Sequence, residues 1–399
     1  MEAVSYRRTP YLIAFQEERV RKDVYGSIDN TVILQSQLLR GDGPSDTVII
    51  AMHPIGAPAY LPIFPQLARM GHHIIACASR YSNGDAALEM ENVVLDLAAC
   101  VRDARERLGY KNIVMMGWSG GGSLMAGYQA EAENPVIQTT AAGEETPLAG
   151  KELIAGDALI LVASHRSRHM LLTGQIDASI TDESQPECRN PSLNLYDPAN
   201  PAQPPYSLAF LETYRAAQIA RNRRISAWAR DKLTKLKASG REHAEFCFTV
   251  HGTMADPRWI DPTVDPNQRR PNWTYLGDPR IVNDSAVALG RFSSLRGWLS
   301  QWSYDDAQFD SVVAGPRIAV PSMVITAAAD DACPPEHTDA MFNALGSADK
   351  QALVIDRANH YFSGSLGKGQ LSEVGNALST WLGDRGYSND AVRRTLHSR

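Results

Sequence analysis

The feature that most constrains this chain is the alternation, through its first third, of short apolar runs with stretches of helical spacing. Residues 32–39, 47–52, 72–78 and 113–116 read as strands, and helical patterns over 59–70 and about 85–108 separate the later ones. Strands joined through helices pair in parallel, and the helices then cover both faces of the sheet. The runs at 47–52 and 72–78 are continuously apolar rather than alternating, as strands buried on both faces are. The expected fold is α/β, a mostly parallel, doubly wound sheet. The turn Gly41-Asp42-Gly43-Pro44 separates the first two strands, which are expected to enter the sheet together, and Gly71 stops the first helix. Asp85 is expected to cap the next helix, whose apolar face (Leu88, Val93, Leu97, Val101, Leu108) runs to Gly109.

After Asp157 and the apolar run 158–163 the alternation stops. Residues 165–316 bring Pro-rich loops at 196–206, a basic helical stretch over 207–238 and a Trp-bearing helix near 285–301. Regularity returns with a strand at 321–329, a helix after Pro335, a strand at 352–355 and a last helix over 371–382. The expected organisation is a core of 1–164 and 317–399 interrupted by a cap, 165–316. The polar tail 386–399 is expected to fray.

Composition excludes several function classes. The 39 Lys and Arg against 45 Asp and Glu leave a net charge of −6 among 399 residues, with no long basic run, so the electrostatic footprint of nucleic-acid binding is missing. The apolar runs 47–52 and 158–163 fall far short of the roughly 20 residues that cross a bilayer. The N-terminal stretch 11–15 is too short for a signal-peptide core, and a cytoplasmic protein is expected. Five cysteines, without a CxxC pair, argue against a disulfide framework and against a zinc site, so reduced thiols and no metal are expected.

The motif that carries chemistry follows the strand at 113–116. Gly117-Trp118-Ser119-Gly120-Gly121-Gly122 is a G-x-S-x-G pentapeptide between a strand and a helix, the context of a nucleophile elbow. A serine on so sharp a turn stands clear of the sheet, and Gly117 and Gly120 leave room for the backbone to pass. A glycine-rich turn that packs closely or binds phosphate is the other reading of these residues.

In these residues the chain resembles the α/β-hydrolase superfamily, in which the nucleophile is followed by an acid after a later strand and a histidine near the C-terminus. The sequence Pro321 to Pro335, with Asp330-Asp331 after its strand, looks like the family's acid-bearing turn. The acid is Asp330 or Asp331; Ala327, three residues before Asp330, stands where the family often has glycine and favours Asp330. Asp356-Arg357-Ala358-Asn359-His360 is similar to the loop that carries the base, which makes His360 the base by resemblance. Its imidazole would take the Ser119 proton while the acid fixes its tautomer. The family draws its oxyanion donors from the residue after the nucleophile and from the loop after the third strand, here Gly120 and Ile55, since Pro54 has no N–H. His53 and Trp118 flank these positions; His53 either shapes the floor of the site or is a buried structural histidine. The sequence departs from the family's pattern in its His53-Pro54 pair, where His-Gly is frequent, and in its triple glycine.

The resemblance implies acyl-enzyme chemistry, because serine at 119 argues against the branches that use a carboxylate nucleophile. A serine hydrolase of carboxylic esters or lactones, acting through acyl-Ser119 without metal or organic cofactor, is the expectation. An acyltransferase or thioesterase using the same residues, or a ligand-binding protein that kept the fold without turnover, are the alternatives. The expected partner is a small molecule with an apolar or aromatic part; self-association is left open. Aromatics are concentrated in the cap, although Trp298 and Trp302, four apart beside Leu295 and Leu299, suit a core. The basic run from Arg215 to Lys237 reads as a solvated helix face, and Arg80 as a surface ion pair.

Overall fold

The computed structural model describes residues 5–18, 22, 29–363 and 369–388; most of the tail expected to fray lies outside them. Eight strands form one sheet in the order β1-β2-β4-β3-β5-β6-β9-β10. They are β1 (Arg7–Gln16), β2 (Thr31–Arg40), β3 (Thr47–His53), β4 (His73–Ala78), β5 (Asn112–Ser119), β6 (Ala158–Ser164), β9 (Ser322–Ala327) and β10 (Lys350–Ile355). A separate two-stranded ribbon pairs β7 (Cys247–Thr249) with β8 (Phe292–Ser294). From β4 to β10 every neighbouring pair is parallel, while β1, β2 and β4 pair antiparallel.

The continuously apolar strands are the central ones. Along β3, Val48, Ile50 and Met52 face one layer of core and Ile49 and Ala51 the other, so both faces of the sheet are dry. Helices α2 (Met90–Arg102) and α3 (Gly121–Glu133) cover the first face; α1 (Ile63–Arg69) and the helix Gln370–Asp384 cover the second. Because β4 and β9 flank β3, β5 and β6 in parallel, the C-terminal ends of these strands converge on one edge, where ligands bind in open α/β sheets.

The sequence-based expectations fail at identifiable places. β2 does not pair with β3: the α1 crossover lays β4 between them, and β2 adds antiparallel to the far side of β4. Gly41 then passes so close to Gly71 that a Cβ at Gly41 would lie 2.4 Å from its backbone. β1 carries no buried pattern beyond Ile13, because it is an edge strand, and so gives no periodic signal. Helix α2 starts at Met90 without a side-chain cap, and Asp85 instead binds Arg168 at 2.8 Å. Arg80 is not at the surface but buried, with Nε 2.9 Å from Asp96 and Nη1 2.5 Å from Glu17.

Residues 165–316 carry helix α4 (Arg168–Gln175), the 31-residue helix α5 (Leu208–Ala238) and the short helix Leu295–Gln301. The last is the helical part of 285–301; its N-terminus is set by Ser294, whose hydroxyl accepts from Gly297 N–H. Trp298 and Trp302 are fully buried against α4 and α5, with Leu172, Ile225 and Leu233. The basic face of α5 is divided: Arg223 is exposed, but Arg221 is enclosed, donating to Glu183 and to the carbonyls of Asp177, His251 and Gly252. Among the described residues no helix is long and apolar enough to cross a membrane.

Candidate active site

Ser119 ends β5 and sits in the left-handed backbone region, at φ 54°, before α3 begins at Gly121. A serine holds this conformation only when its surroundings impose it. Here the pairing of β5 with β6 shifts register between Trp118 and Ser119, which turns the chain out of the sheet. The glycines around it are steric requirements. A Cβ at Gly117 would lie 2.6 Å from the Gly121 carbonyl, at Gly121 2.6 Å from the Met52 carbonyl, and at Gly122 2.5 Å from the Ser164 Cβ. The triple glycine therefore lets the start of α3 press against the ends of β3 and β6.

The two residues expected as acid and base lie in the turns after β9 and β10. Asp330 follows β9, and its Oδ1 accepts the Ala332 and Cys333 N–H groups at 2.8 and 2.9 Å, which fixes the carboxylate. His360 follows β10, and its Nδ1 lies 2.9 Å from Asp330 Oδ2 and 3.1 Å from Oδ1. Both side chains are buried. A bond of this kind to an ionised carboxylate puts the ring proton on Nδ1 and leaves Nε2 as the acceptor. Asp331 makes no such bond; burial first, and the Asp330 charge second, push its carboxyl up to about 6.

Trp118 braces His360: its Nε1 donates to the His360 carbonyl at 3.1 Å and its ring lies 4.5 Å from the imidazole. Among the described residues no hydrogen bond joins Ser119 to His360; the hydroxyl lies instead against the Cys333 thiol. Catalytic contacts of this kind are often open in unliganded sites and close with substrate. The thiol donates to the Ala163 carbonyl at 3.1 Å, and burial pushes it far above the ordinary thiol range.

On the other side of Ser119, His53 Nδ1 lies 2.6 Å from the Ile55 carbonyl and 3.3 Å from the Ile55 N–H. The shorter contact requires the proton on Nδ1, so the Ile55 N–H has no acceptor there and remains available. Burial, reinforced by the charge of Arg168, lowers His53 to about 3, so the ring is neutral. Its Nε2 would lie 2.9 Å from a Cβ at Gly120, and His165 Nε2 3.4 Å, so both rings close over the glycine that follows Ser119. His165 is buried, and its pKa is lowered by burial and by Arg168.

No family model matches the chain, and no curated protein does. Among solved structures it is similar to the α/β hydrolase GrgF from Penicillium sp. sh18, with 12% identity and a TM-score of 0.50 over 94% of this chain and 98% of that one. It is also similar to DcsB, solved with a substrate analogue, with 14% identity and a TM-score of 0.48 over 94% and 99% of the two chains. A monoacylglycerol lipase of Paleococcus ferrophilus follows at 13% identity and a TM-score of 0.44, over 87% and 99%. The chain has the α/β-hydrolase fold.

Within this α/β-hydrolase fold the structure brings Trp118, Ser119, Gly120, Asp330 and His360 to one edge of the sheet, with His53 beside Gly120 and Ile55 against His53. Sequence reasoning missed two residues there. His165 follows directly on β6, at the same strand edge as Ser119 and Asp330, and that position was the available signal. Cys333 was visible in the acid-bearing turn, but only the turn's hydrogen bonds show that it folds back toward Ser119. The 165–316 segment also reaches the site. Trp259 Nε1 donates to the Asp331 carbonyl and Asn267 Nδ2 to the Asp330 carbonyl, each at 2.8 Å. Gln268 bonds to Ala328 and to the N–H of Arg357, so one stretch of this segment ties the acid turn to the base loop.

Proposed function

We propose that the chain is a serine hydrolase that cleaves a carboxylic ester or lactone through an acyl-Ser119 intermediate. The observation that carries this reading is the strained Ser119 at the strand–helix turn, at the same sheet edge as a buried His360 whose Nδ1 is held by Asp330. With substrate bound, Ser119 Oγ rotates from the Cys333 thiol toward His360 Nε2, which takes its proton as the C–O bond forms. Asp330 stabilises the imidazolium, and the same proton is returned to the leaving alkoxide. The Gly120 and Ile55 N–H groups receive the oxyanion, the first at the start of α3, where the helix dipole adds to its strength. Water then repeats the sequence and releases the acid.

Residues 165–316 are read as the cap, because their 259–268 stretch is bonded to both the acid turn and the base loop. Trp259, whose Nε1 donates to the Asp331 carbonyl, brings an aromatic ring of the cap to the turn that carries Asp330. This supports a substrate with an apolar or aromatic part. A panel of esters and lactones of graded acyl size, followed by acid release at constant pH, tests the reading. Release that disappears in Ser119→Ala supports it; no release from any member, with the protein folded, removes it.

A further inference from the structure

The turn that positions Asp330 also delivers a third ligating group. Its two N–H bonds to Oδ1 fold Cys333 back, so that Sγ, an Asp330 carboxylate oxygen and a His360 ring nitrogen lie within 4.8 Å of one another. All three residues are buried. Zinc bonds of about 2.0–2.3 Å place tetrahedral ligand atoms roughly 3.3–3.8 Å apart, so closing this set around an ion takes shifts of about an ångström or less. The donor types select the metal: thiolate and imidazole suit zinc, whereas magnesium and calcium need six or more oxygens. The charges also cancel, since a thiolate and a carboxylate balance one divalent cation and leave no net charge in a buried place.

We propose that Asp330, Cys333 and His360 form a reversible zinc site whose occupation switches the Ser119 centre off. Binding releases the Cys333 thiol proton to solvent and breaks its hydrogen bond to Ala163; no oxidation state changes. His360 Nδ1, the ring nitrogen next to the Asp330 carboxylate, takes the ion; its proton moves to Nε2, and the ring loses the lone pair that would accept the Ser119 proton. Ser119 then has no base. This inhibition rests on the function proposed above; the binding does not.

Cobalt(II) is the direct probe, because a thiolate ligand gives it a near-ultraviolet charge-transfer band and tetrahedral coordination gives it strong visible bands. Full-length Ser119→Ala protein, titrated with CoCl2 in the presence of a non-thiol reductant, should show both at one equivalent and lose them when ZnCl2 is added. Cys333→Ser, nearly isosteric, should abolish the charge-transfer band, and His360→Gln should weaken binding by about tenfold or more. With the Ser119 enzyme, ZnCl2 should lower ester turnover and a chelator restore it. Cys333→Ser, scaled to its own zinc-free rate, should raise the half-inhibitory zinc concentration by at least about tenfold. A titration without a Cys333-dependent band, or inhibition that Cys333→Ser leaves unchanged, overturns the proposal. A band in a protein that hydrolyses nothing keeps the metal site and removes the triad reading.

Discussion

The two halves of this molecule hide their interiors differently. The sheet is lined by apolar side chains, Val48, Ile50, Met115, Leu159 and Ile160 among them, with the buried Arg80–Asp96 pair between the end of β4 and α2 as an exception. The 165–316 segment instead buries several arginines, paired inside it (Arg221 with Glu183, Arg258 with Asp256, Arg296 with Glu245) and across to the flanking stretches (Arg258 with Glu336, Arg296 with Glu144). An apolar interior writes itself into the sequence as runs and periodicity; an interior closed by arginines bound to carboxylates and carbonyls reads as surface. That is why the basic face of α5 looked solvated although Arg221 is enclosed.

Breaking the catalytic centre should have the largest effect, and it should leave this contrast untouched. Ser119→Ala should lower kcat by about 10⁴ to 10⁶ on the best ester, with an unchanged melting temperature. Asp330→Asn comes next, at about 10⁴ in kcat, because an amide in place of the carboxylate favours the wrong His360 tautomer. Asp331→Asn, measured in the same assay, should change kcat by much less; the reverse ranking would transfer the acid's role to Asp331.

The contrast itself is sharpened by a pair of stability measurements. Arg221→Met takes one donor from each of three carbonyls and leaves Glu183 to Arg224 alone, and should cost about 3–5 kcal/mol in urea unfolding. Ile160→Val, in the sheet, should cost about 0.5–1.5 kcal/mol. Equal costs would mean that the buried charges of the 165–316 segment are solvated in practice.

The last effect is a pH dependence. Asp331 has a raised pKa, about 6 against 3.8, so between these values the folded protein holds a proton that the unfolded chain has lost. Its contribution is therefore most favourable below the unfolded value, declines as pH rises from about 4 to about 6, and is level above that. Asp331→Asn should gain on the parent protein across this window and be more stable at pH 7 by an amount on the order of 1–3 kcal/mol. A stability difference independent of pH would place the titration elsewhere.

Much of the sheet was legible because β3, β4, β5 and β6 carry uninterrupted apolar runs and α1 and α3 are bounded by glycines. The place of β2 was not, since nothing local tells a strand which side of β4 it will join. Ser119 could be picked out because its turn demands glycine at fixed offsets, and Asp330 or Asp331 and His360 because their places after later strands resemble the α/β-hydrolase order. Cys333 and His165 could not. They join the site through backbone hydrogen bonds of a turn and through the ends of separate strands, and a pattern of Asp330, Cys333 and His360 has no spacing that a sequence motif would record.

The central claim is that Ser119 is an activated nucleophile, and covalent labelling tests it most directly. Folded protein incubated with a fluorophosphonate and digested for mass spectrometry should carry one phosphonyl group, on the peptide containing Ser119. Labelling should be fast in the parent protein, strongly slowed in His360→Gln and absent in Ser119→Ala. No label, a label on another serine, or a Ser119 label formed as readily in the denatured chain would contradict the account.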